Sequence, residues 1–80
     1  MRAYVYILRS VDFPDVYYTG ATSNLRARLK RHNAKEVPHT SKYAPWQIKT
    51  YVGFSDANKA FEFEKYLKSA SGRSFAKKRL

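Results

Sequence analysis

The sequence predicts a small α+β layer architecture in the order β-β-α-β-α, followed by a short basic segment that is a last helix or a tail. Three observations carry this. Two runs rich in aromatic and β-branched residues near the N-terminus are joined by a turn containing Pro14 and two aspartates. A third alternating run follows at residues 47–54. Two helix-forming segments, each preceded by a capping residue, separate and follow these strands. The chain has 80 residues, room for one domain (1–80) with one modest core.

In order, "AYVYILR" reads as a strand with Tyr4, Tyr6 and Leu8 on one face and Val5 and Ile7 on the other. Both faces are apolar or aromatic, so the strand is expected to be central. "SVDFPD" supplies the turn and "VYYTG" the second strand, and so short a connection predicts an antiparallel hairpin. "TSNLRARLKRHN" is a helix capped by Thr22 or Ser23, with Leu25 and Leu29 turned inward. Residues 34–46 lack periodicity and read as a functional loop. "QIKTYVGF" places Ile48, Thr50, Val52 and Phe54 on one covered face. A helix then starts at its cap, Asp56, and ends at Gly72, with Ala57, Ala60, Phe61 and Leu67 on its inner side.

Charge narrows the function. Sixteen Lys and Arg against six Asp and Glu leave a formal net charge of +10, with hydrophobic residues at 44%, so the chain is globular and suited to a polyanion. The longest apolar run, "AYVYIL", is far short of the roughly 20 residues that span a bilayer, and is also too short for a signal-peptide core. The expected partner is therefore nucleic acid, not a membrane, and the expected location is the cytoplasm. The absence of cysteine excludes disulfides, thiolate metal sites and a Cys nucleophile, and agrees with a reduced compartment.

One residue resists a purely structural reading. Glu64 sits three or four positions from Ala60, Phe61 and Leu67, among the inward positions of its helix. A carboxylate there needs a cation or hydrogen-bond donors, and the structural reading is an ion pair with Arg28 or Lys68. In the first helix, Arg28 and His32 are four residues apart, flanking the Leu25 and Leu29 stripe. Arg26, Lys30 and Arg31 form a solvated basic face. The seven tyrosines are mostly packing residues, favoured in strands.

Taken together, the spacing Y-V-Y, Y-T-G, Arg28, His32, Glu64 resembles the GIY-YIG nuclease family, with "YVY" (Tyr4 to Tyr6) in place of GIY and "YTG" (Tyr18 to Gly20) in place of YIG. The likeness runs essentially the full chain and is nearest to small stand-alone members similar to the N-terminal nuclease domain of the excision-repair nuclease. It implies a three-stranded antiparallel sheet flanked by helices. It implies, too, that Tyr6, Tyr18, Arg28, His32 and Glu64 are catalytic, with Glu64 the single carboxylate ligand of Mg²⁺ or Mn²⁺. Tyr6 would activate water and Tyr18 orient it or bind phosphate. Arg28 would donate two hydrogen bonds to the scissile phosphate, and His32 would take a proton from tyrosine. Two departures stand out: Tyr4 replaces the glycine of GIY, and no asparagine follows Glu64, where larger members often carry one.

The activity so implied is a metal-dependent DNA endonuclease or nickase of repair or recombination, with DNA ahead of RNA and a protein partner or DNA structure supplying selectivity. Arg26, Lys30, Arg31, Lys35, Lys42, Arg73, Lys77 and Lys78 would hold the phosphate backbone. The alternative is a non-catalytic basic nucleic-acid-binding module of the same fold, which leaves Glu64 unexplained.

Overall fold

The structure, a computed structural model, describes residues 2–80. Strands β1 (Ala3–Ser10), β2 (Tyr17–Thr22) and β3 (Trp46–Phe54) form one antiparallel sheet in the order β2-β1-β3. Helices α1 (Leu25–Asn33) and the one-turn α2 (Pro38–Ser41) lie between β2 and β3, while α3 (Ala57–Leu67) and α4 (Ala70–Arg79) follow β3. The strand order makes β1 central, as its two apolar faces predict.

Those faces carry separate cores. Val5 and Ile7 pack with Ala60 and Leu67 of α3, flanked by Ala76 and Leu80 from the C-terminal segment. Tyr6, Leu8 and Trp46 pack on the other side with Leu25 and Leu29 of α1. The sheet is thus sandwiched between α1 and the α3–α4 pair. No described helix is long and apolar enough to cross a membrane.

Several local expectations need correction. β3 does not keep one covered face: its pairing with β1 slips between Ile7 and Leu8, so that Thr50 faces Ile7 while Ile48 faces Leu8, and Lys49 is the extra residue of a bulge. Ile48 therefore joins the Tyr6 core, while Phe54 joins the Val5 core. The N-cap of α1 is Asn24, whose side chain accepts from the Ala27 amide, whereas Thr22 accepts from the Asn24 amide one step earlier. Phe61 points to solvent at 54% exposure. Phe63 takes the inner position, packing against the Val5 core with the Phe54 ring of β3 at 5.6 Å and the Phe75 ring of α4 at 6.4 Å, centroid to centroid.

Asp56 caps α3 as expected, accepting from the Asn58 amide. Gly72, however, does not end that helix. α3 stops at Leu67, Ser69 caps α4 by accepting from the Gly72 amide, and buried Gly72 lies in the first turn of α4. A Cβ at Gly72 would collide with the Tyr66 carbonyl, so the glycine permits the close α3–α4 packing.

The segment 34–46 is also more ordered than a loop. The chain leaves α1 through Lys35 in the left-handed region (φ 62°), makes the α2 turn and enters β3 after a cis Ala44–Pro45 bond. Asn33 fastens it by accepting from the Trp46 amide at 2.6 Å and donating to the Trp46 carbonyl at 3.1 Å. The Trp46 indole in turn donates to the Thr40 carbonyl at 2.9 Å.

Candidate active site

Tyr6 is central to the site. Its β1 position faces α1, and the Tyr6 hydroxyl lies 2.9 Å from His32 Nε2. The other ring nitrogen, His32 Nδ1, is 2.7 Å from Thr40 Oγ1, and that hydroxyl donates to the Val37 carbonyl at 3.3 Å. Thr40 has only one proton to give. With it directed to Val37, Oγ1 accepts from Nδ1–H, and Nε2 is left to accept the Tyr6 proton. All members of this chain are thereby satisfied, as is every other buried side-chain polar atom among the described residues.

Tyr6 is 1% exposed and His32 0%, so the pair titrates in a desolvated setting. Burial pushes the Tyr6 hydroxyl above the ordinary tyrosine value; Arg28 pulls it back, while Tyr18 and Glu64 add to the rise. Burial, followed by the positive charges of Arg28 and Arg31, lowers His32 below the ordinary histidine value. At neutral pH the arrangement is a phenol donating to a neutral imidazole.

The other predicted residues gather around this pair. The Tyr18 ring lies 5.1 Å from the His32 ring and 6.4 Å from the Tyr6 ring, centroid to centroid. Half-buried Arg28 is one turn before His32 on α1 and acts on both members of the pair. Glu64 arrives from α3, which packs on the opposite sheet face, and reaches the site past edge strand β2. Its carboxylate, 23% exposed, pairs with Lys68 Nζ at 3.2 Å, and the same ammonium stands 5.7 Å above the Tyr18 ring. Of the two ion-pair partners the sequence offered, Lys68 is the one engaged.

Glu64 fits a divalent cation as one hard oxygen donor among waters and phosphate oxygens. No cluster of three His, Cys, Asp or Glu side chains among the described residues offers a closed protein cage. Lys68 engages one oxygen of that carboxylate, Oε2, and is the cation it meets in the structure.

The eight predicted phosphate-binding residues lie at the surface, but they divide between two faces. Arg26, Lys30, Arg31, Lys35 and Lys42 belong to α1 and the segment after it, where Arg31 pairs with Glu36 at 3.6 Å. Arg73, Lys77 and Lys78 belong to α4 across the sheet. The sequence reading missed Thr40, which sits in an aperiodic stretch eight residues after His32. The space-making role of Gly20 also escaped it.

Gly20 pairs directly with Tyr6 across the β1–β2 ladder. A Cβ there would lie 2.5 Å from the Tyr6 hydroxyl oxygen and 3.1 Å from Tyr18. Gly20→Ala should therefore push Tyr6 off His32 and destabilise the fold by about 1–3 kcal/mol. Thermal melts and the Tyr6 environment in NMR spectra check this; an unshifted melting point with native tyrosine signals would contradict it.

The sequence matches the family described as the GIY-YIG catalytic domain over residues 2–79. It is 37% identical over 67 residues to the structure-specific endonuclease subunit SLX1 of Debaryomyces hansenii, covering 75% of this chain and 19% of that protein. A homologue of that protein from Giardia intestinalis is 35% identical over 65 residues, covering 76% of this chain and 18% of its own length. The chain thus spans about a fifth of those relatives. A UPF0213 protein of Streptococcus pyogenes serotype M3 is 35% identical over 74 residues, covering 91% of this chain and 78% of that one. In solved structures, the fold matches the UPF0213 protein BH0048 of Bacillus halodurans with a TM-score of 0.57 and 28% identity, covering 96% of this chain and 81% of that one. With the strand order, the tyrosine pair and a match spanning nearly every residue in agreement, the chain belongs to the GIY-YIG family of nuclease domains.

Proposed function

We propose that the chain is a divalent-metal-dependent DNA endonuclease or nickase acting in the cytoplasm, directed by DNA structure or by a partner protein. The observation that carries this reading is the Tyr6–His32–Thr40 hydrogen-bond chain, with Arg28, Tyr18 and Glu64 around it. A buried tyrosine hydrogen-bonded to a neutral histidine can pass its proton inward and leave a phenolate oxygen to take one from water. The endonucleases among the relatives support phosphodiester hydrolysis as the reaction, while their greater length leaves their substrates and partners as proposals for this chain.

In this mechanism Arg28, permanently charged, holds the scissile phosphate and offsets the charge that develops on it. The same guanidinium opposes the burial that raises the Tyr6 pKa, so phosphate positioning and base formation are coupled through one side chain. His32 receives the Tyr6 proton, and Thr40 fixes the imidazole so that the unprotonated nitrogen faces Tyr6. Tyr18 walls the pair and contributes a second phenol at the cleft. Glu64 would hold Mg²⁺ or Mn²⁺, which supplies Lewis-acid stabilisation of the phosphate and the departing oxygen.

A non-catalytic nucleic-acid-binding module is the second reading, favoured by the Glu64–Lys68 ion pair, which satisfies the carboxylate without any metal. Labelled substrates decide between the two. Supercoiled plasmid, single strands, flaps, four-way junctions and RNA are incubated with the protein in Mg²⁺, Mn²⁺ or EDTA. Cleavage of a DNA substrate in either metal and none in EDTA is expected; salt-sensitive binding with no cleavage in any condition would leave the module.

A further inference from the structure

The sheet face opposite Tyr6 carries a second feature that the catalytic reading does not use. Between β2 and α4 lies an open groove of about 750 Å³ with Ile7 and Leu67 on its floor and Lys49, Lys68, Arg73 and Lys77 around it. Its size is that of a small-molecule cleft. Asp15 is the one acid among its lining residues, so four cations face it against one anion.

Tyr17 gives the groove its chemistry. The ring is 49% exposed, and Lys49 stands 5.6 Å above it. Lys49 is also the extra residue of the β3 bulge, with no partner in the β1 register. Bulges re-aim side chains, and this one brings an ammonium across the central strand to the Tyr17 ring. A half-exposed aromatic ring among cations matches an unstacked base and its flanking phosphates; the bases of a duplex are stacked on one another and cannot use it.

The groove also joins the catalytic site. Tyr17 and Tyr18 are consecutive on an edge strand, so their side chains lie on opposite faces of the sheet. Lys68 lines the groove and also contacts Glu64 and stands over Tyr18. A strand crossing the β2 edge would pass from one site to the other.

We propose that this groove binds a single-stranded DNA segment adjoining the cleaved phosphodiester, with one base stacked on Tyr17 and its phosphates on Lys49, Arg73 and Lys77. The proposal rests on the nuclease reading for its biological meaning, but its test does not depend on turnover. The groove thereby selects DNA that carries a single-stranded arm at the cut site.

Fluorescence anisotropy in EDTA, with a short labelled single-stranded oligonucleotide and a blunt duplex of the same length, tests it whether or not the protein cleaves. Tyr17→Ala should weaken single-strand binding roughly ten- to a hundredfold, well beyond any loss for the duplex. Tyr17→Phe, which keeps the ring, should restore it. Lys49→Ala should flatten the slope of log affinity against log salt by roughly 0.7 for the single strand. Tyr17 is a surface residue, so circular dichroism is expected to show an unchanged fold. Equal losses for both oligonucleotides, no loss at all, or an acidic polyglutamate peptide that competes as well as the oligonucleotide would overturn the assignment.

Discussion

Glu64→Gln should abolish metal-dependent cleavage, lowering the rate about 10²- to 10³-fold, while binding to DNA is kept or strengthened. The magnitude follows from the several kcal/mol of transition-state stabilisation that a bound divalent cation supplies, at about 1.4 kcal/mol per factor of ten. Binding moves the other way because the substitution removes one of only six acidic side chains from a chain with sixteen basic ones, one that the proposed mechanism sets beside the phosphate. Loss of fold cannot mimic the result. The Glu64–Lys68 pair is partly exposed, at 23% and 50%, and pairs of this kind contribute roughly 0–1 kcal/mol. Cleavage by the variant at the wild-type rate in saturating Mg²⁺ would remove Glu64 from the metal-ligand role.

Tyr6→Phe should cost a comparable amount, about 10²- to 10⁴-fold in rate, if its oxygen is the base. The substitution also leaves His32 Nε2 without its buried partner, for about 1–3 kcal/mol of stability. A domain with about 5–15 kcal/mol in hand stays folded, so activity and melting temperature separate the two effects. Wild-type pH dependence follows from the same pair. His32 is held below its unfolded value of 6.5, so the unfolded chain takes up the proton first. The neutral-histidine stabilisation is present above about 6.5 and is lost as pH falls toward the lower folded value. Activity should share that acid limb, since protonated Nε2 can no longer accept from Tyr6. Tyr6 has the opposite sign: its raised pKa keeps the folded state in the phenol form, so its stabilisation is whole below the ordinary tyrosine value of 10.0 and is lost as pH rises from there through the higher folded value. A rate profile indifferent to pH between about 5 and 7 would contradict the His32 role.

How much of the fold is legible in the sequence depends on whether the information is local. The two apolar faces of β1 are a period-two pattern, visible in one short run, and they place the strand at the centre correctly. Asp56 as a cap is equally local. Ile48 falls on the wrong face in the sequence pattern because a bulge changes the parity of a strand without leaving any mark in its hydrophobic alternation. Phe61 and Phe63 exchange places because the flank of α3 that turns inward is the one facing Phe54 of β3 and Phe75 of α4, partners that lie outside the helix's own pattern. The candidate site divides in the same way. Arg28 and His32 announce themselves by helical spacing and Glu64 by its place among apolar positions. Thr40 does not, because its place beside His32 depends on how Asn33 and Trp46 fasten the intervening chain.

The bulge at Lys49 bears on the company this protein keeps with itself. β3 is an edge of the sheet, and an edge presents a row of backbone donors and acceptors that another copy can extend. Partway along that row the strand gains an unmatched residue, so an incoming straight strand would lose register there. The irregularity that delivers an ammonium to Tyr17 therefore also works against strand-by-strand stacking of the chain, a safeguard of practical worth to a small, aromatic-rich sheet with two open sides.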